Sequence, residues 1–506
     1  MTSARLRALA ILAAAALPAR SASADWSVAP TLRWRESYSD NINLAPPASA
    51  QGELVSELAP ALSITGKARG LTLKFDYTLE RRSYRHAPAS TTHNALGSLD
   101  AVLLDDWLYA QARTSVSRQN LSPFGPQAID PASTGANTST VKTNSVTPAL
   151  RHRFAGVALL DASYDYESVK TGGAAFDVTS EDARVQLASD RPRGAWGWDA
   201  FYSRKRQNDP LLPPVHLNSA AATLRLALAS HLGGALTSGY DSNDYRAIAG
   251  PAQGRYWSAA LRWAPDARTS IAASRGHRFY GSSYGLDAAR RTRRSAWRLA
   301  YGEDITSTRA PFAVLSPADA SATLNALWAD SIPDPLARQR QIDQFLGAGE
   351  VLAPLPGSAT VNYFSHSYYL QKLWTASVAT GSAHSTLLLS LSQNSRTVQS
   401  ATPLDSELLP PGQANLLDKT RQRGVDLVWD WQCGAQTTIK LAAARARIDS
   451  ELFPRSDSNT VVRADISRRL GHRLEGAIEL RRVRHDSNAG GAYREAAVSA
   501  TLNLKL

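Results

Sequence analysis

One cysteine and one methionine stand in 506 residues. Cys433 alone closes no internal disulfide, and without thiolate neighbours it suggests no zinc site. Met1 is the only methionine, so the rest of the chain has none of the flexible gap-filler common in soluble cores. Past the N-terminus no apolar run approaches about 18 residues, so no segment is long enough to cross a bilayer as a helix. Acidic residues are outnumbered, 44 against 56 Lys and Arg, for a formal charge of +12. No basic helical face or zinc-finger pattern accompanies that excess, which argues against nucleic acid. Anionic lipid headgroups or an anionic polymer are the partners such a charge fits.

What is present begins with an export signal. Arg5 and Arg7 precede an apolar run from Ala8 to Leu17, and Ala22-Ser23-Ala24 offers small residues before Asp25. That order reads as a signal peptide over residues 1–24, removed to leave a mature chain starting at Asp25. Ten apolar residues are too few for an anchor across a hydrocarbon core about 30 Å thick. The chain is therefore expected in the envelope of a Gram-negative bacterium.

A period of two runs through the remainder. In Leu71-Thr72-Leu73-Lys74-Phe75-Asp76-Tyr77-Thr78-Leu79-Glu80 every odd position is apolar or aromatic and every even one polar. A strand sends successive side chains to opposite faces, so this segment has one oily and one wet face. As a helix it would scatter charge on every side. The alternation returns at Leu160–Tyr166, Ala222–Leu228, Trp257–Trp263 and Val425–Trp431. Mean hydropathy is mildly negative, as it must be when half of each membrane strand faces water.

Connections alternate in length. Short ones fall near Gly66–Ala68, Asp105-Asp106, Ala155-Gly156, Gln432–Gly434 and Leu470–His472; longer polar stretches occupy 119–144, 207–217, 281–291 and 398–419. Short periplasmic turns facing longer outside loops are the habit of outer-membrane barrels. Counting segments gives an odd number near 21, whereas such barrels are even. The odd total points to a hidden strand, Ile305–Val314, behind a turn at Gly302-Glu303-Asp304. The expected fold is thus all-β: a transmembrane outer-membrane β-barrel of about 22 antiparallel strands, spanning residues 25–506.

One insertion is helical. Ser316-Pro317-Ala318-Asp319 and Asp334-Pro335 carry helix-start signals, and Leu336, Ile342, Phe345 and Leu346 form a stripe ended by Gly347. This segment, 316–347, either folds into the lumen as a constriction or packs on neighbouring loops as an outside cap, the cap being the plainer expectation. Trp34, Trp107, Trp196, Trp257, Trp263, Trp297, Trp374 and Trp431 fall mostly near strand ends, where rings prefer the headgroup level. A last amphipathic strand, Val498 to Leu506, resembles the signal read by the barrel-assembly machinery, although that signal usually ends in an aromatic residue.

Several elements together resemble a known family. They are Ser39-Asp40-Asn41-Ile42-Asn43-Leu44-Ala45-Pro46, Asp105-Asp106-Trp107-Leu108, Gln119-Asn120-Leu121-Ser122-Pro123-Phe124-Gly125-Pro126, Gly302–Arg309 and Pro333-Asp334-Pro335. The run is similar to the outer-membrane β-barrel proteins associated with the PEP-CTERM/exosortase system of exopolysaccharide-producing bacteria. The resemblance covers nearly the whole mature chain and is most specific at Ser-Pro-Phe-Gly-Pro. It implies a barrel whose genes accompany extracellular polysaccharide synthesis and export, with no catalytic residues to carry over.

Chemistry-bearing motifs are otherwise few. His485-Asp486-Ser487 has the residue types of a hydrolase triad, but adjacent strand residues do not converge. Asp40-Asn41-Ile42-Asn43 has oxygens for calcium without the glycine and closing glutamate of a calcium loop, so it reads as a plain turn. No enzyme, cofactor or metal is expected. Arg290, Arg291, Arg293 and Arg294 straddle a stretch read as an outside loop, where they fit lipopolysaccharide phosphates or an anion-guiding mouth. The expected role is a conduit for exopolysaccharide. The alternative is a non-transporting scaffold whose loops bind surface polymer or periplasmic synthesis and export proteins. An energy-coupled receptor is the less expected form, because strand patterns begin almost at Asp25.

Overall fold

In lipid every backbone donor and acceptor needs a partner within the chain, which strands supply only by closing into a ring. The computed structural model describes residues 25–135, 137–172, 177–190, 195–210, 212–307, 318–346, 367–400 and 416–506. The signal segment and the Ser316-Pro317 helix start lie outside the described residues.

The sheet has 22 strands. The first eleven are β1 (Asp25–Ser39), β2 (Glu53–Ala68), β3 (Leu71–Tyr84), β4 (Ser90–Leu104), β5 (Leu108–Asn120), β6 (Thr138–Phe154), β7 (Ala158–Thr171), β8 (Val178–Ser189), β9 (Trp196–Asp209), β10 (Leu212–Ala229) and β11 (Leu232–Asn243). The rest are β12 (Gln253–Asp266), β13 (Thr269–Arg278), β14 (Gly281–Arg291), β15 (Ser295–Ser307), β16 (Tyr368–Gly381), β17 (Ser385–Val398), β18 (Lys419–Gln432), β19 (Thr437–Ser450), β20 (Ser456–Arg469), β21 (Leu474–Ser487) and β22 (Tyr493–Lys505). Each pairs antiparallel with its sequence neighbours. The ring closes where β1 meets β22, from Thr31 opposite Lys505 to Ser39 opposite Ala497.

The period of two sorts side chains between the two sides of this wall. On β3, Leu71, Leu73, Phe75, Tyr77 and Leu79 share the outer face, while Glu80 and Arg82 on the inner face are wholly buried. On β12, Trp257, Leu261 and Trp263 stand exposed on the outside, as a lipid-facing band requires.

The rim that holds Asp25 and Leu506 carries only short connections. Arg69-Gly70 turns there with Gly70 at φ +73°, and Asp106 takes φ +63° in the next turn, a backbone region that Gly and Asp enter most readily. The opposite rim carries the connections 40–52, 121–137, 244–252, 308–367 and 399–418. Not every expected loop survives. Of 207–217 only residues 210 and 211 lie between strands, because β9 and β10 run far past the band.

The count is as expected, but one hairpin lies elsewhere. Residues 281–291, read from sequence as a loop, are the strand β14, and the turn follows at 292–294. Gly302-Glu303-Asp304 continues β15 without a break, opposite Leu373, Lys372 and Gln371. The small polar run Gly281-Ser282-Ser283 at the start of β14 concealed a strand; of the expected strand Ile305–Val314, residues 305–307 end β15 and 308–314 lie outside the described residues. This register also relocates Arg290, Arg291, Arg293 and Arg294. They end β14 and form the turn, so they occupy the short-turn rim and not an outside loop.

The joint between β14 and β15 is the shortest in the ring. Six register pairs join them, from Leu286 opposite Tyr301 to Arg291 opposite Ala296. Residues 281–285 pair only with β13, and 302–307 only with β16.

The helices α1 (Ala318–Trp328) and α2 (Pro335–Leu346) interrupt the long connection between β15 and β16. Asp334 caps α2 by accepting from the Ala337 backbone amide at 3.2 Å, as the sequence signal implied. The long-loop rim is expected to face outward. A cysteine at exposed Ala48, in a Cys433→Ser background, should react with an impermeant maleimide on intact cells. One at Asp105 should react only after the outer membrane is breached, and the reverse pattern would invert the molecule.

Candidate functional site

Two layers pack into the lumen, both from connections of the long-loop rim. The first begins with the β5–β6 connection. Pro123 and Pro126 stiffen it, and Gly125 at φ +89° supplies the sharp turn between them. Asn137 binds the knot from below, accepting from the Ser122 amide at 2.9 Å and donating to the Ser122 and Pro126 carbonyls. So tied, the loop points inward. Ile129 packs with Leu44 and with Val461, Val483 and Tyr493, which face the lumen from β20 to β22. Phe124 packs with Leu417 and Ile448. The Ser-Pro-Phe-Gly-Pro element is thus an internal part.

Asp130 anchors this loop. Its carboxylate accepts from Arg35 of β1 at 2.8 Å and Arg481 of β21 at 2.7 Å. Burial would raise its pKa, but the two guanidiniums and the Ala132 amide hold the carboxyl well below its ordinary range. Arg481 continues to Glu479 and Glu495, both at 3.1 Å. On the adjoining wall Arg33 meets Glu57 and Glu80 at 3.0 and 3.1 Å, and Arg82 meets Glu57 at 2.7 Å and also Glu80. Thr92 of β4 donates to Glu80 at 3.1 Å. Four guanidiniums and five carboxylates therefore form two neighbouring, largely buried clusters inside the wall, between β21 and β3. Their partners satisfy charges that burial alone would make very costly.

The second layer is the helical segment, and it lies inside. Leu324, Leu327, Ile342 and Phe345 pack on Ala296, Ala379 and Leu388, the lumen-facing residues of β15, β16 and β17. The hydroxyls of Thr323 and Ser377 lie 2.6 Å apart. Arg291 reaches Asp330 at 3.0 Å, which fixes the end of α1 at the short-turn rim. The expected outside cap is corrected: the apolar stripe found its partner surface within the barrel. The Leu336 side chain lies outside the described residues.

A third side remains wet. Arg151 and Asp161, facing inward from β6 and β7, pair at 3.0 Å with side chains 53% and 52% exposed. Arg184 with Asp182, and Arg225 with Asp199, continue this lane on β8, β9 and β10. Above it, side chains pack together at the long-loop rim. The Tyr368 hydroxyl donates to Gln207 at 2.6 Å, and Tyr245 stacks on Tyr368 with centroids 4.8 Å apart. Phe279, Val215 and Ile305 complete this lid. Burial, then Asp241, pushes the Tyr245 hydroxyl up to about 12, so it stays neutral there.

The sequence candidates fare differently. His485 lies buried in the lumen against Asn459 and Tyr493, while Asp486 faces outward and pairs with Arg484. Ser487 instead donates to Asp457. An imidazole placed between hydroxyl and carboxylate, which a triad needs, is not formed. In the 40–43 turn, Asn41 and Asn43 spend their side chains on backbone groups of Ala45, Arg494, Ser49 and Gln51. Among the described residues no group of three or more His, Cys, Asp or Glu could hold a metal ion. Sequence reading passed over Arg33, Arg35, Glu57, Glu80, Arg82, Asp130 and Arg481. The available signal was opposite charge at lumen parity on neighbouring strands.

No family model matches this chain, and no curated protein does. Among solved structures it is similar to the FrpB iron transporter of Neisseria meningitidis, at 10% identity and TM-score 0.49, over 94% of this chain and 81% of that one. It is also similar to BauA, the ferric preacinetobactin receptor of Acinetobacter baumannii, at 11% identity, TM-score 0.46, and 94% and 81% coverage. OccD3 of Pseudomonas aeruginosa aligns over 95% of this chain and 92% of its own, at 10% identity and TM-score 0.33. At such values no ligand transfers from any of them. The assignment to the class of membrane-spanning, outer-membrane-type β-barrels stands on ring closure and the outward apolar face.

Proposed function

We propose that this chain is a gated outer-membrane conduit for exopolysaccharide, acting beside the PEP-CTERM/exosortase system. The observation that carries the reading is the lane of ion pairs on β6 to β10, each with an exposed arginine, left beside two packed layers. A passage lined by paired charges offers hydrogen-bond donors and acceptors with little net field. That suits a hydroxyl-rich chain of low net charge better than a strongly anionic one. Resemblance at the Ser122–Pro126 knot supplies the link to polysaccharide. The signal-like N-terminus and the barrel class fit residence in a Gram-negative outer membrane, with the wide rim outward.

Packing at Tyr368, Tyr245 and Gln207 favours a second reading, a sealed scaffold that binds polymer without passing it. Planar-bilayer recording separates the two. A conduit should show brief openings that a neutral oligosaccharide of the producing strain blocks in a length-dependent way. Tyr368→Ala should lengthen the openings. Folded protein that stays silent, with and without Tyr368→Ala, leaves only the scaffold.

A further inference from the structure

The outer faces of β18 to β22 carry arginine just beyond the apolar band. Val425, Leu427, Leu441, Val462, Leu480 and Val498 are exposed there. Next along the same faces, toward the long-loop rim, come Arg423 on β18, Arg445 on β19, Arg482 on β21 and Arg494 on β22, all exposed. The nearby carboxylates are already engaged: Glu451 by Lys419 and Arg421, Asp449 by Arg447, Asp486 by Arg484. Among the described residues the four arginines meet no acidic side chain within salt-bridge distance.

Register makes the arrangement costlier. Arg423 stands directly opposite Arg447, and Arg484 directly opposite Arg494. Like charges in facing positions on one side of a sheet repel. Two such pairs in one patch call for anions between them. Strands lie about 4.8 Å apart, so the centres of the β18–β19 and β21–β22 groups are about 14 Å apart. Between them β20 presents Ser458, opposite Arg447 and Asp486, and Thr460, opposite Arg445 and Arg484.

We propose that this surface binds the headgroup of a bis-phosphorylated glycolipid of the lipopolysaccharide class. One phosphate lies between Arg423, Arg445 and Arg447, the other between Arg482, Arg484 and Arg494. The sugar unit joining them rests on Ser458 and Thr460, and its acyl chains follow the apolar band below. Arginine suits the task because its planar fork meets phosphate oxygens in pairs. The site replaces the Arg290–Arg294 cluster as the lipopolysaccharide contact, since that cluster lies at the other rim. It depends on the proposed outward orientation for its biological supply of lipid, but not on conduction.

Native mass spectrometry of delipidated protein in detergent tests the site without reference to orientation. Wild type should retain one bis-phosphorylated lipid A per chain, bind the monophosphorylated form about tenfold more weakly, and ignore a fully dephosphorylated one. Arg423→Gln, Arg445→Gln, Arg482→Gln and Arg494→Gln together should abolish retention while heat-modifiable folding persists. The matching four-lysine variant should restore part of it. Equal binding by the glutamine variant, or by dephosphorylated lipid, overturns the proposal. So does inorganic pyrophosphate competing as well as the lipid, because then only phosphate is recognised. Failure here leaves the conduit reading untouched, and silence in bilayers leaves this one.

Discussion

Replacing residues 310–365 with a short glycine-serine hairpin is expected to raise single-channel conductance severalfold while the barrel still closes. The register allows the deletion, because Ser307 stands directly opposite Tyr368 and a tight turn can join facing residues. Nothing in the wall's hydrogen-bond ladder passes through α1 or α2. What is lost is the layer packed on Ala296, Ala379 and Leu388. A 22-stranded ring is wide, since diameter grows roughly with strand number, so removing a packed layer enlarges the path beside it. The newly wetted patch should also make the variant bind detergent more strongly. Unchanged conductance, with folding confirmed by heat-modifiable mobility, would mean that the path lies elsewhere or that the long-loop lid alone limits flow. Adding Tyr368→Ala to the deletion distinguishes these, because only a limiting lid responds.

Arg82→Met should be the most damaging single change in the wall. Arg82 is wholly buried and neutralises both Glu57 and Glu80. Truncating one partner of a buried set leaves uncompensated charge, at a cost of about 3–5 kcal/mol. Arg33 still reaches both carboxylates, which sets the expectation toward the lower end of that range. The triple change Arg82→Met, Glu57→Gln and Glu80→Gln should recover most of the loss, since a neutral set has no buried charge to balance. The measurement is the urea midpoint of the folded band on unheated gels. A single variant as stable as wild type would show that water reaches these groups.

The wall was legible because its rule is local. At Leu71–Glu80 parity alone separates the lipid face from the lumen face, and it does so on nearly every strand. Gly281-Ser282-Ser283 failed that test because small polar residues have no clear preference for either face. One mistaken hairpin then moved Arg290, Arg291, Arg293 and Arg294 to the opposite rim. The helices were also legible, from Asp334-Pro335 and the stripe at Ile342 and Phe345. Their destination was not, for an apolar stripe names no partner. The same holds for Asp130: one acid in a loop says nothing until Arg35 and Arg481, distant in sequence, stand beside it. Tertiary partners across a ring cannot be read from neighbours along a chain.

A closed ring of links yields first where the link is shortest. Between Leu286 and Tyr301 the hydrogen bonding stops, and the two neighbouring ladders carry on alone. Heat or mechanical load that parts this joint turns the cylinder into a twisted ribbon, still joined at β1 and β22, with fourteen strands on one arm and eight on the other. The helices pack on the shorter arm, against β15 to β17, and Asp330 holds Arg291 on the longer one. Two ion pairs therefore cross the line of fracture, Arg298–Asp287 within the wall and Arg291–Asp330 through the helical segment, so the segment that packs in the lumen also splints the wall.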